Sequence, residues 1–223
     1  MAREMLPLFP LNAVLFPRTR LPLYIFEERY KLMIGEAVSE GTEFGVVLAS
    51  ERGIVNTGCS ALVSKVMKTY DDGRMDILAV GRRRFEIYLL NEEKAYLQGA
   101  VEFFDDDDEP ASLEKSYLEQ AVRGYYACRS LEAASSMPER DLPEPDLNDP
   151  QLSFQLAQAV PDVNLRQSLL AMRSEAERLK HLAQFFPPYL SKEKQTSHFR
   201  KIVPTNGHGK LKSDGTNVSE PFD

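Results

Sequence analysis

The chain has 223 residues, 43% hydrophobic and 27% charged, proportions that allow a globular core without disulfide or metal staples. A formal charge of -7 and a pI near 5.2 disfavour a sequence-independent grip on a phosphate backbone. Two distant cysteines, Cys59 and Cys128, are too few for a disulfide framework or a four-ligand zinc site, so buried free thiols in a reducing cytoplasm are expected.

The opening text, LPLFPLNAVLFPRTRLPLYIFEERY (6–30), interleaves apolar pairs with Pro7, Pro10, Pro17 and Pro22. Each proline fixes φ and removes a backbone donor, which argues against a helix or a central strand and predicts short extended pieces. The prolines and Asn12 also interrupt any apolar helical stretch, so no secretory signal is expected, and no run has the length to span a bilayer. A helix is predicted over 26–38, with Phe26, Tyr30, Met33 and Ala37 on one face, Glu27 and Glu28 in the first turn, and Gly41 as the stop. FGVVLAS (44–50) reads as a buried strand, and Gly53 opens a turn. Asp72-Gly73 between two strand-like runs predicts a hairpin. MDILAV (75–80), RRRFEIYLL (82–90) and YLQGAVEFF (96–104) follow as strands. In the middle one Phe85, Ile87 and Leu89 alternate with Arg84, Glu86 and Tyr88. The acidic run 105–109 reads as a solvated linker.

Beyond Pro110 the period changes. Leu113, Tyr117, Ala121 and Tyr125 form a helical stripe, widened by Leu118 and Val122. The Pro-, Glu- and Asp-rich loop 137–150 is expected to be exposed. Asp149-Pro150 then reads as an N-cap and first helical position, ahead of Leu152, Leu156 and Val160. Pro161-Asp162 ends that helix and caps the next, which carries Leu165, Leu169, Met172, Ala176, Leu179, Ala183 and Phe186. Ser174 and Glu177 have capping-box spacing, which marks a break within this stretch, and Pro187-Pro188 is read as its end. The polar text from 191 onward, with Gly207, Gly209 and Gly215, is read as a disordered tail. The organisation expected is α+β: a β domain with an embedded helix over 1–109, an α-helical bundle over 110–190, and the tail over 191–223.

LPLFPL, VLFP and LPLYIFEERY resemble the opening of the Lon protease N-terminal, substrate-binding domain. FGVVLA (44–49), Gly58, DGR (72–74), GRRRFEI (81–87) and SLLAMRSEAERLKHL (168–182) look like its later blocks, so the likeness runs from residue 6 to about 186. The resemblance implies a PUA-like pseudo-barrel followed by helices, and a role in recognising exposed segments of other proteins. It does not extend to a motor or a protease. Gly207-His208-Gly209-Lys210-Leu211 lacks the hydroxyl and preceding strand of a P-loop, and no segment resembles Lon's catalytic serine block. A stand-alone family member without the ATPase and protease domains is expected, hence no enzyme. The two cysteines also exclude the zinc domains of cereblon-like and RING-linked relatives.

No catalytic, metal or cofactor site is expected. The acidic run puts Pro110 where an EF-hand loop needs glycine, His181, His198 and His208 form no metal-spaced set, and no G-x-S-x-G elbow is present. Function is therefore expected from contacts: capture of unfolded or exposed polypeptide, as adaptor or holdase. Leu15, Phe16, Leu21 and Tyr24 are the proposed contacts, with Leu15 and Phe16 the least certain of the opening segment to be buried. Two alternatives stand beside this reading. One is an accessory subunit of an ATP-dependent protease, or a cryptic hydrolase. The other is a PUA-like RNA binder that uses Arg82, Arg83 and Arg84, with Arg83 sharing the side of Phe85 and the other two opposite.

Overall fold

The computed structural model describes residues 4–51, 53–107, 114–135, 140 and 142–202, with side-chain surroundings as far as 196. Asp108, Glu109, Leu113, Met137 and the stretch 203–223 lie outside the described residues. The alternating apolar text forms β1 (Glu4–Leu11), β2 (Arg20–Ile25), β3 (Phe44–Ser50), β4 (Gly53–Thr69), β5 (Met75–Asn91) and β6 (Gln98–Phe104). They build one mixed sheet in the order β2-β5-β4-β3-β1-β6, and a further β5–β6 pairing closes β5 through β6 into a small barrel. Leu6, Leu8, Val47, Phe85 and Val101 fill its inside as a cluster of their own. The opposite parity, with Phe9, Val46, Leu48, Cys59 and Ala61, faces the helices.

The opening prolines do not keep β1 at an edge. It lies between β3 and β6, the central position that its prolines argued against. The register supplies the reason: Glu4 to Pro7 pair with β6, and Leu8 to Leu11 pair with β3. Each half has one neighbouring strand, which leaves positions where a missing proline donor costs no ladder bond. Pro22 sits in β2, the outermost strand, where a missing donor is tolerated.

Helix α1 (Glu28–Glu40) starts two residues later than its apolar spacing suggests and ends at Gly41, which is left-handed with φ 65. Tyr30, Met33 and Ala37 are buried as expected, whereas Phe26 stands outside the helix and is 58% exposed. Among the described residues α2 (Lys115–Ala133), α3 (Leu152–Leu156), α4 (Val163–Ala171) and α5 (Glu175–Ile202) follow. Asp162 caps α4 by accepting from the Asn164 and Leu165 amides, and Ser174 Oγ accepts from Glu177 N at the break before α5. Loop residue Leu142 is buried, contrary to the expectation of an exposed loop, and the Tyr125 hydroxyl donates to Pro143 O at 2.6 Å.

Pro187 and Pro188 do not end α5, which continues to Ile202 and so covers the first part of the expected tail. Packing outweighs the lost donors here. Phe186 is fully buried against α2 at Gly124, where an added Cβ would lie 2.4 Å from the ring, and Phe185 stacks on Tyr189 at 5.3 Å. One buried cluster runs from Phe9, Phe16 and Phe44 through Tyr125, Phe154, Leu170 and Phe186. The expected division at 109/110 therefore separates two kinds of secondary structure that share a core.

β5 is a single strand through Gly81, where two strand-like runs were read. Gly81 N donates to Thr19 O at 2.9 Å, and Arg18 N donates to Gly81 O at 2.8 Å. A Cβ at Gly81 would lie 2.1 Å from the Phe16 carbonyl oxygen, a backbone atom with little room to yield. Gly81→Ala should therefore lower the unfolding free energy by about 1–3 kcal/mol. The urea midpoint reads this directly, and an unchanged midpoint would mean that the turn relaxes freely.

Candidate functional site

The arginine run of β5 is divided by strand alternation and by the helices packed over it. Arg84 is 1% exposed: it donates to Asp106 Oδ1 at 2.7 Å and to the Leu170 and Met172 carbonyls at the end of α4. Arg178, from the first turn of α5, is wholly buried and grips both Asp106 oxygens, at 2.7 and 2.5 Å, and Glu175 at 2.8 Å. Its Nε donates to Ser153 Oγ at 2.7 Å, and the Phe154 ring packs against both guanidiniums. Burial alone would raise the Asp106 carboxyl, but the bonds and charges of Arg178 and Arg84 outweigh it and hold the group below the usual carboxylate range. Burial pulls the Arg84 guanidinium down, partly offset by Asp106. Asp106 is therefore no solvated linker residue. It joins β5, the segment after β6, and the helices.

The structure separates the other residues named from the sequence. Leu15 and Phe16 are core: Phe16 is 0% exposed and stacks on Phe154 at 5.6 Å, with the Arg166 guanidinium 5.3 Å from its ring centre. Both are buried and present nothing to a partner. Leu21 is half-buried against the main core. Tyr24 is 45% exposed, stacks on Phe26 at 5.8 Å and accepts a hydrogen bond from Arg74. Of the three arginines Arg82 is exposed, Arg83 pairs with Glu43 at 3.2 Å, and Arg84 is buried, so they form no common phosphate surface. Cys59 and Cys128 are buried free thiols, pushed by burial to about 12 and about 11. No group of three or more His, Cys, Asp or Glu among the described residues has metal-binding geometry, and no described helix is long and apolar enough to cross a membrane.

The surface best suited to a partner lies at the far end of β5. Pairing with β4 stops at Thr57–Glu86, while pairing with β6 continues to Asn91–Gln98. Beyond Glu86 the β4 side of β5 therefore has no strand on it among the described residues. Leu89 is 65% exposed there and Leu90 43%. The strict alternation read from the sequence would bury Leu89 with Phe85 and Ile87. A register shift between Ile87 and Leu89 breaks that parity, and local text does not reveal such a bulge. The signal available was the uncharged, proline-free run Ile87-Tyr88-Leu89-Leu90-Asn91, in contrast to β2, whose outer edge carries Arg20 and Pro22.

Beside this edge is a groove of about 300 Å³ lined by Glu86, Tyr88, Glu102, Phe104, Asp105 and Arg173, among others. Glu86 and Glu102 are directly opposed across β5 and β6, a like-charge pairing that a ladder ordinarily avoids. Arg173 relieves it in part through Glu86, at 3.3 Å, with its guanidinium 4.3 Å from the Phe104 ring centre.

Comparison with known proteins agrees with this architecture. The family profile described as ATP-dependent protease La (LON) substrate-binding domain matches residues 5–186. A Lon protease of Parabacteroides distasonis is 32% identical over 112 residues, covering 46% of this chain and 14% of that protein. A Lon protease of Roseiflexus castenholzii is 26% identical over 196 residues, covering 82% and 24% respectively. The chain thus spans a quarter or less of the length of these relatives. Among solved structures, a Lon N-terminal domain protein from Xanthomonas campestris superimposes with a TM-score of 0.64 at 24% identity, covering 82% of this chain and 99% of that one. The N-terminal domain of a Mycobacterium avium complex Lon protease gives 0.60 at 16% identity, covering 81% and 97%. These two likenesses establish the fold.

Proposed function

The chain belongs to the Lon substrate-binding domain family, and on that premise we propose that it captures extended segments of other polypeptides along the open edge of β5. The observation carrying this reading is the strand edge beyond Glu86, left without a partner strand among the described residues and flanked by exposed Leu89 and Leu90. An added strand gains main-chain hydrogen bonds there, and its side chains meet an apolar surface. No covalent step and no nucleotide is required. The module acts as a substrate-recognition or holdase-like element. The Tyr24–Phe26 pair is a secondary apolar contact, since Pro22 in β2 limits strand addition on that side.

Reduced, permanently unfolded α-lactalbumin should bind saturably without ATP and remain uncleaved. The double variant Leu89→Asp, Leu90→Asp should weaken this binding about tenfold, because charge is placed at the centre of the contact. Both positions are exposed, so the far-UV circular dichroism should be unchanged. Absence of binding by the parent protein, or full binding by the variant, would sink the reading.

A further inference from the structure

We infer that the edge of β5 selects extended apolar segments that carry a lysine or arginine, with the basic side chain seated in the groove beside Glu102 and Asp105. This rests on the reading above and adds the chemistry of the segment. A strand laid on the β4 side of β5 lies about one strand spacing, ~4.8 Å, from Glu86 and about two from Glu102. A side chain on its outer face must cross that second spacing to reach Glu102, which long basic side chains do and short ones do not.

The groove is built to receive a cation. The opposed Glu86 and Glu102 repel each other, and only Glu86 has a cation beside it, Arg173. Glu102, Asp105 and Asp107 form no ion pair among the described residues, whereas Asp106 is fully engaged by Arg84 and Arg178. Phe104 already carries the Arg84 and Arg173 guanidiniums, at 4.6 and 4.3 Å from its ring centre, so the incoming charge meets the free carboxylates rather than this ring. Strand edge, apolar Leu89 and acidic groove are contiguous along β5, so one extended segment meets all three. The overall charge of -7 adds long-range attraction for basic segments.

The test uses a labelled ten-residue peptide of alternating valine and threonine with one central lysine, and two counterparts with glutamine or glutamate at that position. Fluorescence anisotropy should show the lysine peptide binding about tenfold more tightly than the glutamate peptide, with the gap narrowing in 0.5 M salt. In the double variant Glu102→Gln, Asp105→Asn the preference should disappear while the glutamine peptide binds as before. Equal binding of all three peptides by the parent protein would overturn the charge selection and leave the strand-edge reading standing. Binding of none would overturn both. A preference that survives in the double variant would overturn the placement in this groove.

Discussion

Replacing Asp106 by alanine is expected to cost about 3–5 kcal/mol of unfolding free energy, the range for removing one partner of a buried ion pair. Two guanidiniums depend on this carboxylate. Arg84 is 1% exposed and Arg178 wholly buried, so truncating Asp106 leaves two buried charges short of their shared partner. Arg178 retains Glu175 and Ser153, so the loss falls hardest on Arg84, whose remaining partners are the Leu170 and Met172 carbonyls. Urea unfolding at neutral pH measures the cost, and a change below 1 kcal/mol would show that the arginines find other partners.

The pH dependence follows from the same pair. The Asp106 carboxyl is held lower in the folded protein than in the unfolded chain, where it titrates near 3.9. The unfolded state therefore binds the proton more readily, and folding stability decreases as the solution is acidified. The stability difference between the parent and Asp106→Asn is expected to be constant above about pH 5 and to shrink as pH falls through the lowered native value. A difference that grew on acidification would contradict this sign.

Phe16→Ala is the second large effect, about 3–5 kcal/mol, as for a fully buried aromatic ring that leaves a cavity. Phe16 lies where the strand region meets α3 and α4: it stacks on Phe154, and Arg166 packs over its ring while donating to Val14 O at 2.8 Å. Removing it leaves space on both sides of the shared core. The measured pattern should separate architecture from recognition. At a temperature where the variant remains folded, its affinity for unfolded α-lactalbumin should match the parent's. Lost affinity with unchanged stability would place Phe16 at the binding surface instead.

Much of the fold was legible because local chemistry and tertiary structure agree. The Asp72-Gly73 hairpin, the Asp162 cap, the Ser174–Glu177 break and the Gly41 stop each rest on hydrogen bonds within a few residues, which spacing alone specifies. The resemblance to the Lon substrate-binding domain, carried by blocks from residue 6 to about 186, agrees with the family match over 5–186. Failures arose where a distant partner changed the balance. Pro187 and Pro188 looked terminal, yet the buried Phe186 and the Phe185–Tyr189 stack carry α5 past them. Asp106 looked solvated until two arginines, 22 and 72 residues away, were brought to it.

The site divides along the same line. The sequence by itself determined an α+β chain of this family and an opening segment rich in large apolar side chains, because periodicity and motif are local properties. Only the tertiary structure decided which of those side chains meet solvent. Burial depends on what packs above a residue, and this placed Leu15 and Phe16 in the core and left Tyr24 at the surface. Exposure of Leu89 depends on a register shift against β6 and on where β4 leaves β5, and both are relations between strands that the text of β5 alone does not carry.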